Sequence, residues 1–106
     1  MEHMLEHAEE ALQFVGNMSR AQLTTDRTLE LALTRLVEII GEAASRDSES
    51  TRMQYPAIAW ADAVGMRNRI VHVYYDVDLN VLWDTIIDDL PPLISQLRAA
   101  LAERGR

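Results

Sequence analysis

The chain has 106 residues, 48% of them hydrophobic, and a formal net charge of −7; it reads as one globular domain, residues 1–106, and the charge opposes nucleic-acid binding over the whole surface. It has no cysteine, which excludes disulfides, thiolate metal sites and a cysteine nucleophile, and leaves no structural zinc or redox role to expect. No apolar run approaches a membrane span, and residues 1–17 carry Glu and His throughout, unlike a signal peptide, so a cytoplasmic protein without membrane partners is expected.

All ten cationic residues are arginine. Any positive surface is therefore suited to bidentate phosphate contact, and RNA binding, where it occurs, has to be local.

Residues 2–18 space Met4, Ala8, Ala11, Leu12 and Val15 at helical intervals and predict an amphipathic helix. His3 and His7 stand at i and i+4 on it, a spacing that suits a metal, but the sequence shows no third ligand of evident geometry and a solvated face is expected. Ser19 with Gln22 forms a capping-box pattern, and Thr24, Thr25 and Asp26 offer a second helix start. From 27 to 44 a long helix carries Leu29, Leu33, Leu36, Ile40 and Ala43 on one stripe. Leu31 and Ile39 lie off it, so this helix is either central in a bundle or touches another subunit. Gly41 in its interior costs on the order of 1 kcal/mol against Ala, for which close approach of another helix is a motive. Arg35 and Glu42 read as a solvated or paired edge.

Residues 45–54 are polar and predict the longest loop. Tyr55-Pro56 biases the chain to extended structure before a short helix at 57–64, closed by Gly65, with Trp60 in the core. Asp78 is placed to cap a helix over 79–88, with Val81, Leu82, Ile86 and Trp83 facing inward. Pro91-Pro92 then predict a stop or sharp reset, and a last helix at 90–103, capped by Asp88 or Asp89, carries Leu93, Leu97, Ala100 and Leu101 inward. The fold class is all-α: an up-and-down bundle of four to five helices with short connections.

The chemistry concentrates in residues 65–78, where an arginine, an amide, an imidazole and two phenols gather within nine residues. Read as one helix, Arg67, Val71 and Tyr74 share a side, Asn68, His72 and Tyr75 form a second stripe, and Met66, Ile70 and Val73 face the core. On this wheel Arg67 and His72 lie about 140° apart. One helix does not aim both at one atom, whereas two copies about a two-fold axis bring them together, so a homodimer with a shared site is expected. A permanently charged guanidinium beside an imidazole, with no carboxylate pair or thiol, suits phosphoryl chemistry better than acyl transfer.

The run Arg67-Asn68-Arg69-Ile70-Val71-His72-Val73-Tyr74 resembles the Arg-x4-His-x-Tyr signature of the HEPN superfamily, in the form found in HepT-type toxins of toxin–antitoxin pairs. Glu38-Ile39-Ile40-Gly41-Glu42-Ala43-Ala44 is similar to that family's second-helix motif. Tyr55 to Trp60, Leu82 to Ile86 and Asp89 to Pro91 resemble further segments, so the likeness spans most of the chain. It implies a HEPN-type helical bundle, dimeric, acting as a metal-independent endoribonuclease on single-stranded RNA without a cofactor. His72 would assist proton transfer from the 2′-hydroxyl, Arg67 would steady the phosphorane and Asn68 would orient either group, giving a 2′,3′-cyclic phosphate. Tyr74 would be the site of AMPylation by a nucleotidyltransferase antitoxin, an MNT-type partner, with Tyr75 the competing acceptor. The alternative is a non-catalytic helical module that binds a nucleotidyltransferase or a nucleotide. A purely structural bundle would leave the polar cluster at 67–75 without a task.

Overall fold

The computed structural model describes residues 1–71 and 77–105 of the chain. The expected all-α bundle is what forms, with no named strand among the described residues. Helix α1 spans Glu2–Val15 and buries Met4, Ala8, Ala11 and Val15, the i, i+4, i+7 stripe of its sequence. Ser19 opens the short α2, Arg20–Thr25, with a complete capping box: its hydroxyl accepts from Gln22 N at 3.3 Å, and Gln22 Oε1 accepts from Ser19 N at 2.8 Å. Asp26 then caps α3, Arg27–Arg46, by accepting from Leu29 N at 2.9 Å.

Helix α3 is the centre of the bundle, packed against α1 and against α5, Trp60–Ile70, while α7, Leu90–Arg104, lies along α1. It buries Leu29, Leu33, Leu36, Val37, Ile40, Gly41 and Ala44. That central position accounts for its apolar surplus only in part: Ile39 is half-buried, but Leu31 remains 54% exposed.

At Gly41 the backbones of α3 and α5 come close together. A Cβ built there would lie 3.3 Å from the Ala63 carbonyl oxygen and 3.4 Å from that of Val64, so the helix-propensity cost of this glycine is offset by backbone packing no side chain allows.

Three sequence expectations need correction. Residues 45–54 are not one loop: α3 runs on to Arg46, and Ser48 caps a short α4, Glu49–Gln54, by accepting from Thr51 N at 3.1 Å. The polar composition reflects exposure, and Ser at the N-cap with Glu at the first position is a sufficient local helix start. Gly65 does not close a helix at 57–64 either. A single α5, Trp60–Ile70, runs through it, since a glycine without positive φ is tolerated inside a helix. Nor does that helix continue to residue 78. Val71 is extended (φ −93, ψ 125) and forms an isolated antiparallel bridge with Val77, as β-branched residues at a helix end favour. Asp78 N donates to Ile70 O at 2.7 Å.

The two prolines also act differently from the expected stop. After α6, Leu79–Asp84, capped by Asp78 Oδ1 accepting from Asn80 N and Val81 N, the chain stays helical through a π turn at Thr85–Asp89 into α7, Leu90–Arg104. Pro91 and Pro92 lack the N–H groups that Ile87 and Asp88 would receive in an α-helix. Widening the preceding turn, where Leu90 N reaches back to Thr85 O, absorbs the mismatch without breaking the rod. Asp89 makes no side-chain cap bond there.

The core gathers Leu33, Ile40, Met66, Ile70, Leu82, Ile86, Leu90 and Leu97, each at most 2% exposed. Trp60 is buried as expected and donates through Nε1 to Tyr55 O at 3.0 Å. No described helix is long and apolar enough to cross a membrane.

Candidate active site

The second half of α5 presents its polar residues to two different places. Met66 and Ile70 lock the helix into the core. Arg67 and Arg69, about 200° apart around the axis, therefore leave on separate sides. Arg67, Asn68 and Val64 line an open cleft of about 190 Å³ whose other wall is α3, with Glu38, Gly41, Glu42 and Ser45. Arg69 lines a larger cavity, about 510 Å³, between α5 and α7 and stands between carboxylates, 3.7 Å from Asp62 and 3.8 Å from Asp89. With Asp88 also on its wall, that cavity is too acidic to attract phosphate.

In the cleft, Arg67 Nε lies 3.7 Å from Glu38 Oε1 with the arginine side chain 43% exposed. An exposed pair at this distance contributes about 0–1 kcal/mol, so Glu38 orients the guanidinium without locking it. Glu38 in turn takes Arg35 Nη1 at 3.3 Å, and the same Arg35 atom lies 3.4 Å from Glu42. The paired edge expected for Arg35 and Glu42 is present, and it forms the rim of the cleft. Two cations and two carboxylates thus alternate there, and an incoming phosphate competes with Glu38 for Arg67.

Glu38 and Ser45 were not read from sequence as facing Arg67. The signal was available: they lie one turn either side of Gly41, and residues three or four apart share a helix face.

Of the expected site residues, Arg67 and Asn68 meet at this cleft, while His72, Tyr74 and Tyr75 lie outside the described residues. The wheel that set Arg67 and His72 about 140° apart assumed one continuous helix, whereas α5 ends at Ile70 and Val71 is extended. What holds is proximity in the chain: Val71 N donates to Arg67 O at 3.2 Å, and His72 is the next residue.

Comparison with known proteins bears on this arrangement. The family model described as Ribonuclease HepT-like matches residues 4–100. A protein of Caldanaerobacter subterraneus subsp. tengcongensis named "Putative RNase" is 31% identical over 101 residues, covering 95% of this chain and 90% of its own length. "Probable ribonuclease HepT" of Thermococcus cleftensis is 32% identical over 93 residues, 84% of each chain. A protein of Methanocaldococcus jannaschii, also named "Putative RNase", is 29% identical over 90 residues, 85% of this chain and 74% of its own. No solved structure matches the chain.

Proposed function

The chain belongs to the HepT-like (HEPN) ribonuclease family, and from that premise we propose that it is the metal-independent endoribonuclease toxin of a toxin–antitoxin pair, cleaving single-stranded RNA with Arg67 and His72. The observation that carries this reading is the placement of Arg67 and Asn68 together on an open cleft at the end of α5, one residue of backbone before His72. The RNA 2′-oxygen forms the new bond to phosphorus and the bond to the 5′-oxygen breaks. His72 carries the proton from the 2′-hydroxyl to the departing oxygen, leaving a 2′,3′-cyclic phosphate and a 5′-hydroxyl. Arg67 exchanges Glu38 for the phosphorane oxygens, whose higher charge makes the fork bind the transition state better than the ground state. Asn68 orients the imidazole or the phosphate.

The active form in this reading is a homodimer that places two such clefts about one axis, and the exposed apolar Leu31 and Val64 support a covering subunit. A nucleotidyltransferase antitoxin of the MNT type inhibits it by transferring AMP to Tyr74, whose phosphodiester occupies the Arg67 fork and repels RNA. The test is cleavage of a labelled single-stranded RNA by purified protein with circular dichroism as the folding control: Arg67→Ala and His72→Ala each lose cleavage while keeping helicity. Wild-type activity in either variant overturns the mechanism.

A further inference from the structure

We propose that α1 carries a divalent transition-metal site, best suited to zinc, built from His3, Glu6 and His7. The sequence displays the two imidazoles at i and i+4 without a third donor; the helix supplies one, since one Glu6 carboxylate oxygen and one ring nitrogen each of His3 and His7 lie within 4.8 Å of one another. Bond lengths of about 2.0–2.1 Å at tetrahedral angles ask for donors roughly 3.4 Å apart. The remaining distance is covered by side-chain rotation, which His3 and Glu6, both exposed, make without disturbing the core.

A hydrogen bond sets the chemistry of one donor in advance. His7 Nδ1 lies 2.6 Å from the His3 carbonyl oxygen, and because a carbonyl only accepts, Nδ1 carries the proton. That leaves the Nε2 lone pair of a neutral imidazole for a cation, the outer-shell arrangement in which a ligating histidine donates its other N–H to a carbonyl. The rings, 6.4 Å apart between centroids and inclined by 35°, are not stacked on each other.

His3 and His7 open onto a cavity of about 250 Å³ against the end of α3, whose wall carries Glu42 and Asp47 against Arg46 and the N-terminal ammonium, the last 3.2 Å from Asp47. The two imidazoles, borderline donors beside one hard carboxylate, favour zinc over magnesium or calcium. Glu42 also lines the Arg67 cleft, so an ion bound here would sit next to the proposed RNA site without entering it.

The test needs no ribonuclease activity and so is independent of the function proposed above. The full-length protein, freed of metal, is titrated with zinc chloride against a chromophoric competitor, alongside His3→Ala, His7→Ala and Glu6→Gln, with circular dichroism as the folding control. The expected result is saturation at one zinc per chain, a zinc-dependent rise in melting temperature, and affinity lowered about tenfold or more in each variant. Absence of saturable binding overturns the site, as does binding unchanged in either histidine variant. Binding unchanged in Glu6→Gln overturns the three-donor composition.

Discussion

Replacing Gly41 with leucine tests the packing that sets Arg67 beside α3. The first side-chain carbon would already sit 3.3 and 3.4 Å from the carbonyl oxygens of Ala63 and Val64. These are backbone atoms, so no rotamer change makes room; the three further carbons of leucine push α5 away as a unit. Overpacking of this kind costs about 1–3 kcal/mol, and removing a glycine from a helix interior returns about 0.8 kcal/mol, leaving a net loss of about 0.2–2.2 kcal/mol. In a domain of this size that lowers the melting temperature by about 1–18 °C. Thermal unfolding followed by circular dichroism reads it, with Gly65→Ala as the contrasting variant. A Cβ at Gly65 meets nothing within 4 Å, so there the propensity gain of up to about 1 kcal/mol stands alone and the melting temperature rises by about 4–8 °C. RNA cleavage by Gly41→Leu should fall as well, since a displacement of about 1 Å at a catalytic group can cost about a hundredfold in rate. A melting temperature for Gly41→Leu at or above wild type would refute the close approach of α3 and α5.

Three further substitutions probe other parts of the molecule. Ile40→Ala empties a site with no solvent exposure in the central helix and should cost about 2–5 kcal/mol in urea unfolding; a loss under 1 kcal/mol would place Ile40 at the margin of the core. Ser19→Ala removes the hydroxyl that accepts from Gln22 N and should cost about 1 kcal/mol by the same measurement, with no loss arguing that Gln22 alone sustains the start of α2. Tyr74→Phe should retain cleavage but escape inhibition when incubated with the nucleotidyltransferase partner, ATP and magnesium; peptide mass spectrometry locating AMP on Tyr75 instead would transfer the acceptor role to that residue.

Much of the fold was legible because its signals are local. The stripe of α1, the Ser19 capping box and the Asp78 cap each depend on residues within one or two turns, and Gly41 announced a close contact through its propensity cost. The misread boundaries share a cause: a residue's meaning was set by neighbours distant in sequence. Gly65 looked like a helix stop, yet Met66 and Ile70 on its far side pack with Ile40 and Ala63 in one core and carry the helix through. Residues 71–78 read as helix on an apolar spacing that also fits extended structure, whereas the described helix stops at Ile70 and Val71 bridges to Val77. The π turn before Pro91 was invisible because prolines alone signal a break, not the widened turn that accommodates them. At the site, the residue types of Arg67 and Asn68 pointed to the right stretch. The facing wall, Glu38 and Ser45, depended on how α3 and α5 are juxtaposed, and that is tertiary information.

The most direct measurement of the proposed chemistry is end-group analysis of the products formed when wild-type protein cleaves a defined single-stranded RNA in excess chelator, with Arg67→Ala and His72→Ala in parallel. The expected result is unimpaired wild-type cleavage giving 2′,3′-cyclic phosphate and 5′-hydroxyl ends, and none from either variant. Products with 5′-phosphate ends, or cleavage that stops when divalent metal is removed, would contradict transfer to the 2′-oxygen assisted by Arg67 and His72.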